Sequence, residues 1–336
     1  MKTRLHCWLL VICVLTLVKC TAKSPSGQIF MTNAMGDGLY VYDFESRTMS
    51  VWERGKLQDF DSDGSHAWSP DYQQIVYNCY IAQHSNLCLY DIDTHSTEVL
   101  LATAPPYGEV YQSHPTWTLD GQGVTFVTTN DFPPLDQHYR QTLHTVDVQT
   151  RIVTQLADLP NALGNVTSLE WISENELLTG LSSSPGHILI WNTQTWEPRK
   201  VAEGLFPHWS PTTHQIVFMR YYWCLNEQTC FTQAPDRDTY WREISSRWEI
   251  YTVDALGENE TLIYTSQSSL GIGFSSHGGL FWSPDGEYLA FTGGKGGEMN
   301  PLDLYIMRIA DGYTERLVNG LAFNAFELSW IPGDLQ

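Results

Sequence analysis

An all-β fold of six four-stranded sheets set in a ring is what this 336-residue chain predicts. Three observations predict it. A Trp-centred motif recurs along the chain, each copy but the last is followed by a tight polar turn and short β-rich runs, and the two ends carry complementary fractions of one further unit.

The motif is plainest in Trp68-Ser-Pro-Asp71, Trp117-Thr-Leu-Asp120, Trp209-Ser-Pro and Trp282-Ser-Pro-Asp285, with weaker copies in Trp171-Ile-Ser-Glu174 and Trp330-Ile-Pro-Gly333. Successive Trp stand 49, 54, 38, 73 and 48 residues apart. Blades of β-propellers run about 40–50 residues, so only the widest interval requires an insertion. These Trp are expected to pack between blades, and the Asp to order the turn after the first strand.

Each of the first five Trp is followed by a β-rich run: Gln74–Tyr77, Val124–Val127, Leu177–Thr179, Gln215–Phe218 and Tyr288–Phe291. A second run follows in each, as in Leu87–Asp91 or Glu249–Asp254, and then a short edge strand such as Thr97–Leu101 or Glu315–Val318. Short β-branched and aromatic runs between Gly, Asp and Pro turns mark a four-stranded blade. Helical periodicity is absent beyond the N-terminal segment. Three strands without a preceding Trp (Ile29–Asn33, Leu39–Phe44, Met49–Trp52) and a lone C-terminal strand (Phe326–Trp330) complete one blade when paired, which leaves no long exposed edge.

Trp-Ser-Pro-Asp-Gly followed by an apolar strand and a Tyr-x-x-Asp strand resembles the TolB-like propeller family in its WD40-like (PD40) repeat form. The resemblance covers nearly all of the chain after the leader and implies the same closed ring. It is specific for architecture and a poor guide to function. The chain departs from TolB itself in having no room ahead of Ile29 for the extra N-terminal α/β domain, so a role in the Tol–Pal system is not expected.

Lys2 and Arg4 precede an apolar run from Trp8 to Val18, the length of a signal-peptide core and too short to span a bilayer. Cys20-Thr21-Ala22 offers small residues for cleavage after Ala22, which makes residues 1–22 a signal peptide and 23–336 the propeller. The expected location is secreted or periplasmic; lipid anchoring at Cys20 is the alternative, disfavoured by Lys19 before it. Four cysteines remain beyond the leader. In an oxidising compartment their spacing favours Cys79–Cys88 and Cys224–Cys230, with buried free thiols the alternative.

The formal net charge is −20, or −23 once the basic leader is removed. Such a surface repels nucleic acid and anionic lipid, and favours cationic partners or divalent metal ions.

Strand direction alternates within a blade, so the loops after second and fourth strands (bc and da) share one face, and the ab and cd turns share the other. The ab and cd turns are short, whereas Asn78–Asn86, Thr129–Gln141, Met219–Trp248, Glu53–His66, Ala102–His114 and Ser266–Gly279 are long bc and da segments. Surplus loop on one face of a repeat scaffold marks the binding surface. Counting blades from the N-terminal strands, the largest insertion, residues 220–248, belongs to blade five. Aromatic and Arg side chains dominate binding hot spots, which makes Tyr107, Tyr111, Trp223, Tyr240, Trp241 and Arg242 the candidate ligand-binding residues. The alternative is that the insertion's aromatics form their own small core.

Candidate chemistry is thinner. His66, His114, His208 and His277 lie just before first strands, near the expected rim of the central channel, where converging imidazoles could hold a transition metal. A propeller lyase family acting on oligogalacturonate is similar here, and that resemblance implies His ligands and Mn²⁺. The unequal offsets from the nearest Trp (2, 3, 1 and 5 residues) point instead to ordinary loop or interblade histidines. Asp59, Asp61 and Asp63, followed by Gly64, read like the start of a Ca²⁺ loop. Pro70 stands where its closing Glu belongs, so a solvated acidic loop is the competing reading. Gly180-Leu-Ser182 and Gly273-Phe-Ser275 lack the final Gly of a nucleophile elbow, and no catalytic residue is assigned. The sequence therefore favours a binding module for a protein, peptide or polysaccharide, with no cofactor expected, over a metal-dependent polysaccharide lyase or hydrolase at the channel mouth.

Overall fold

The computed structural model describes residues 24–33, 39–52, 65–81, 84–102, 110–130, 141–159, 164–183, 185–226, 229–232, 245–265, 280–293, 302–321 and 325–333. The leader expected over residues 1–22 lies outside them. Every regular element among the described residues is a β-strand, and none contains a helix long and apolar enough to cross a membrane.

Blade one begins with Gln28–Asn33 (β1), Leu39–Asp43 (β2) and Thr48–Trp52 (β3). Blade two is His66–Trp68 (β4), Gln74–Ile81 (β5), His84–Asp91 (β6) and Ser96–Leu101 (β7). Blade three is Val110–Trp117 (β8), Gly123–Asn130 (β9), Gln141–Asp147 (β10) and Val153–Asp158 (β11). Blade four is Val166–Ser173 (β12), Glu176–Leu181 (β13), His187–Asn192 (β14) and Glu197–Glu203 (β15). Blade five is Leu205–Ser210 (β16), Gln215–Asn226 (β17), Thr229–Phe231 (β18), Ser245–Asp254 (β19) and Thr261–Thr265 (β20). Blade six is Leu280–Trp282 (β21), Tyr288–Gly293 (β22), Leu302–Arg308 (β23) and Thr314–Leu321 (β24). Ala325–Ile331 (β25) then pairs antiparallel with β1, with Ile29 opposite Trp330, and closes blade one from the other end of the chain. Each sheet is an antiparallel path of four strands, and β18 is an extra strand on β17.

The core consists of seams between neighbouring sheets. On β5, Ile75, Tyr77 and Cys79 face blade one with Phe30 and Val41, while Val76 faces blade three with Trp117 and Phe126. On β22, Tyr288 and Ala290 join Ile29 and Met31, while Leu289 and Phe291 join Val217 and Met219. Successive side chains of a strand point to opposite faces, and in a ring both faces are covered. Inner strands therefore read as continuous apolar runs, as the burial of all six residues of β22 shows.

The repeated motif has two structural jobs. The Trp117 indole N–H donates to the Ala67 carbonyl (3.1 Å), and that of Trp282 donates to the His208 carbonyl (3.1 Å). In both cases the acceptor immediately precedes the Trp of the preceding blade. Trp330 instead donates to the Ser26 carbonyl at 2.9 Å, tying the last strand to the first. The expected interblade packing of these residues is thus observed.

The second job is the turn. Ser69 Oγ donates to Asp71 (2.6 Å) and accepts the Gln74 N–H (2.9 Å), while Asp71 accepts the Gln73 N–H (3.1 Å). Thr118 with Asp120, and Ser283 with Asp285, repeat the clasp. The cd turns use a related device. Asp43, Asp91 and Asp147 each accept both the N–H and the hydroxyl of the Ser or Thr three residues on.

These bonds hold the carboxyls of Asp71 and Asp120 below the ordinary carboxylate value, mainly through the Ser69 and Thr118 hydroxyls. Asp43, Asp91 and Asp147 are lowered by their cd-turn donors. A depressed folded pKa gives stability that is complete above the unfolded value and lost as pH falls through the folded one. The urea midpoint, followed by Trp fluorescence, is therefore expected to fall progressively below about pH 4. A midpoint that rises on acidification in that window contradicts this account.

Candidate functional site: a cleft beside the blade-five hairpin

Several segments expected to be long bc loops are continued strand. β5 and β6 remain paired to Ile81 opposite His84, so the Asn78–Asn86 segment is a tight hairpin. Likewise β17 and β19 stay in register from Gln215 opposite Asp254 out to Cys224 opposite Ser245, although Met219–Trp248 reads as loop by sequence. The reason is cross-strand pairing: Tyr221 stands opposite Trp248, two residues of high β-propensity, and Tyr222 stands opposite Arg247, whose guanidinium lies over its ring. Over the described residues the blade-five ladder thus runs further along the bc/da face than the β13–β14 and β22–β23 ladders. β18 folds back on the projection, with Cys230 opposite Cys224 and the two joined by a disulfide. The second expected disulfide, Cys79–Cys88, also forms. Both cysteines are fully buried at the seam of blades one and two.

The projecting ladder has two chemically different faces. Towards blade four, the Arg220 guanidinium makes a two-pronged ion pair with Glu260 (2.7 and 2.5 Å). Its Nε donates to the Glu203 carbonyl at 2.7 Å, and its carbon lies 4.4 Å from the Tyr251 ring centroid. The Tyr251 hydroxyl donates to the buried Glu249 carboxylate (2.5 Å), and Arg247 lies 3.1 Å from that carboxylate. Burial, and then the bond to Glu249, push the Tyr251 hydroxyl well above its ordinary pKa. The opposite face is aromatic, and Tyr221 and Trp223 on it also border the space beside the blade-four turn. Tyr221 meets Trp223 edge-on at 4.6 Å between centroids and Trp248 at 4.4 Å.

Between this projection and blade four lies a cleft of roughly 270 Å³. Ser182, Ser183 and Pro185 of the blade-four bc turn form one wall, and Glu203 to Leu205 the second. Arg220, Tyr221, Trp223 and Thr232 of the blade-five projection form the third. The Gly204 N–H donates to the Gly186 carbonyl (2.9 Å), and with the Arg220–Glu203 bond this fixes the walls relative to each other.

Of the expected ligand-binding residues, Trp223 lines the cleft, half-buried. Tyr111 lies on β8 in blade three, away from it, and the placement of its side chain is not described. Tyr107, Tyr240, Trp241 and Arg242 lie outside the described residues, as do Asp59, Asp61 and Asp63. Ser182, Ser183, Pro185, Glu203 and Arg220 were not singled out as binding residues by the sequence. The only signal was Ser182 in the incomplete Gly-x-Ser motif, and nothing in the chain order of blade four says that its bc turn faces β17.

The histidines are spread around the ring. His66 is buried, with Nε2 2.8 Å from the Ser329 hydroxyl of the adjacent inner strand. His208 sits 3.7 Å from the Glu170 carboxylate and stacks at a tilt on Phe281. These two belong to blades two and five, three blades apart. His114 occupies the irregular stretch of β8 between Ser113 and Thr116, and His277 lies outside the described residues. No three His, Cys, Asp or Glu side chains gather to hold a metal among the described residues. The described part of the His set is therefore not a preformed ligand cluster.

The fold and its one-sided projection define a six-bladed β-propeller built on Trp-Ser-Pro-Asp repeats. No protein-family profile matches the chain, and no curated protein matches it by sequence. Among solved structures, it is similar to TolB from Acinetobacter baumannii, with a TM-score of 0.61 and 16% identity over 91% of this chain and 67% of that one. It is also similar to a chain of a nidogen/laminin complex (TM-score 0.58, 9% identity, 90% of this chain and 97% of that one). An oligogalacturonate lyase in complex with manganese gives a TM-score of 0.53 at 14% identity, covering 87% of this chain and 78% of that one. At such identities the likeness shows the shared ring.

Proposed function

We propose that this chain is an exported binding module, secreted or periplasmic, that recognises a protein, peptide or polysaccharide through the bc/da face of its ring. The stapled blade-five projection carries the reading. It places Tyr221, Tyr222 and Trp223, all partly exposed, beside a cleft in a protein whose opposite turns are clasped short. Aromatic side chains give large contact area for little lost conformational freedom, and loop surplus on one face of a rigid scaffold is where recognition concentrates. Two disulfides suit an oxidising compartment. A ring of the same fold occurs in a chain of a nidogen/laminin complex, which supports a protein partner.

The test is a titration of immobilised protein with a basic peptide, an acidic peptide and soluble polysaccharides. It is repeated on a variant lacking residues 229–244 and carrying Tyr221→Ala, Tyr222→Ala, Trp223→Ala and Cys224→Ala. One ligand is expected to bind the intact chain and to lose at least tenfold in affinity, about 1.4 kcal/mol, on the truncated one. Equal binding by both proteins removes the projection from the recognition surface.

A second reading, a metal-dependent polysaccharide lyase or hydrolase at the channel mouth, is favoured by the likeness to the manganese-bound oligogalacturonate lyase. It requires a stoichiometric transition metal in the purified protein, lost in His114→Ala or His277→Ala. Metal content equal in wild type and both variants eliminates it.

A further inference from the structure

We infer that the cleft between the blade-four turn and the blade-five projection receives the side chain of a lysine or arginine from a basic peptide segment. This rests on the binding-module reading and names its partner class. The first ground is charge. Arg220 is the one cation lining the cleft among the described residues, and it is already committed: two prongs on Glu260, Nε on the Glu203 carbonyl, and its plane over Tyr251. A guanidinium so neutralised has little left for an anion. The carboxylate on the wall, Glu203, is held below the ordinary carboxylate range first by its bond from Lys200 and so is charged at neutral pH. Around it lies a chain of net charge −20. The protein's overall charge repels an anionic ligand and draws a cation in.

The second ground is shape. Leu205, Met219 and Pro185 offer an apolar lining for the methylene stem of a long basic side chain, which buries such stems while its head stays polar. Tyr221 and Trp223 line the same space, and aromatic rings attract ammonium and guanidinium groups. The roughly 270 Å³ available is room enough for one long side chain.

The surroundings supply a contrast of opposite sign. Lys200 Nζ sits 2.7 Å from Glu203 Oε1 on a half-exposed strand, so it competes with an incoming cation for that carboxylate. Removing Lys200 strengthens binding if the inference holds, and Glu203→Gln weakens it.

The probe is a fluorescein-labelled peptide of alternating Lys and Gly, read by anisotropy against the disulfide-intact protein. A Glu-Gly peptide and an oligogalacturonate serve as anionic probes, and a neutral oligosaccharide as a third class. The expected results are binding of the Lys-Gly peptide alone, weakened about fivefold to tenfold by Trp223→Ala and by Glu203→Gln. Lys200→Ala is expected to tighten it, whereas Arg308→Ala is not, although it makes the same charge change on the clasped face beside Asp311. If Arg308→Ala and Lys200→Ala tighten binding equally and Trp223→Ala has no effect, adsorption to an acidic surface explains the data and the inference falls. If the Lys-Gly peptide binds through the projection but ignores Glu203 and Lys200, the inference falls while the binding-module reading stands. Binding of a neutral oligosaccharide or an anionic probe that is lost in Trp223→Ala overturns the inference in the same way.

Discussion

Gly27→Ala is expected to lower the stability of the ring by about 3 kcal/mol or more, because the new methyl group has nowhere to go. Gly27 has φ +95°, a conformation that side chains rarely adopt, and its added Cβ would collide with the Ile331 carbonyl oxygen and press on Trp330 Nε1 at 3.3 Å. Both neighbours belong to β25, the strand that closes blade one, and the first contact is with backbone that no rotamer change can relieve. The Gly27 carbonyl also accepts the Phe44 N–H at 3.2 Å, so twisting the glycine away breaks a second tie. Gly312→Ala is the matched control. Its φ of +69° is also positive, but the nearest atom to its Cβ is the Ile263 carbonyl at 4.0 Å. That variant is expected to lose only about 1 kcal/mol from backbone strain. Urea midpoints of the two variants decide the matter. Equal losses mean that crowding at the closure contributes nothing.

The two disulfides are expected to separate stability from recognition. Loop lengths of similar size give each crosslink about 2–3 kcal/mol in the chain-entropy estimate. Their surroundings differ far more. Cys79 and Cys88 are fully buried against Tyr77, Tyr90 and Phe30, so the pair acts on cooperative unfolding of the whole domain. Cys224–Cys230 staples β18 to a ladder that projects past the ring, a unit able to open locally without the rest. Cys79→Ala with Cys88→Ala is expected to lower the urea midpoint by the equivalent of about 2–4 kcal/mol. Cys224→Ala with Cys230→Ala is expected to leave the midpoint within about 0.5 kcal/mol of wild type while weakening ligand binding. Calorimetry and peptide titration on the same preparations test both halves. A large midpoint loss in the second double variant means the projection folds as part of the global unit.

The architecture was legible because its determinants are local and repeated. Trp68, Trp117 and Trp282 each sit beside the Ser or Thr that builds the clasp, and the Trp recurs even in the weak copy that begins at Trp330. Blade closure could be inferred from the strand inventory alone. The cleft could not, because its walls come from residues about forty positions apart, such as Ser182 and Arg220, brought together by the packing of two blades. Trp223, which borders the cleft, could be picked out as a candidate because aromatic enrichment in an insertion is visible in one dimension. Arg220 could not, since its role depends on Glu260 across the sheet and on a backbone carbonyl, neither of which composition reveals. The boundary errors at Asn78–Asn86 and Met219–Trp248 share one cause. Polar and cysteine-bearing hairpins read as loops, although cross-strand partners keep them in register.

The clasped turns divide the molecule into a fixed frame and a writable surface. Ser69, Thr118 and Ser283 each lock one chain reversal with bonds to named backbone atoms, so an insertion there would dismantle the corner it entered. The Cys224–Cys230 hairpin is under no such obligation to the ring. It is a socket whose contents can be rewritten, by descent or by grafting, while the six sheets beneath keep the same shape.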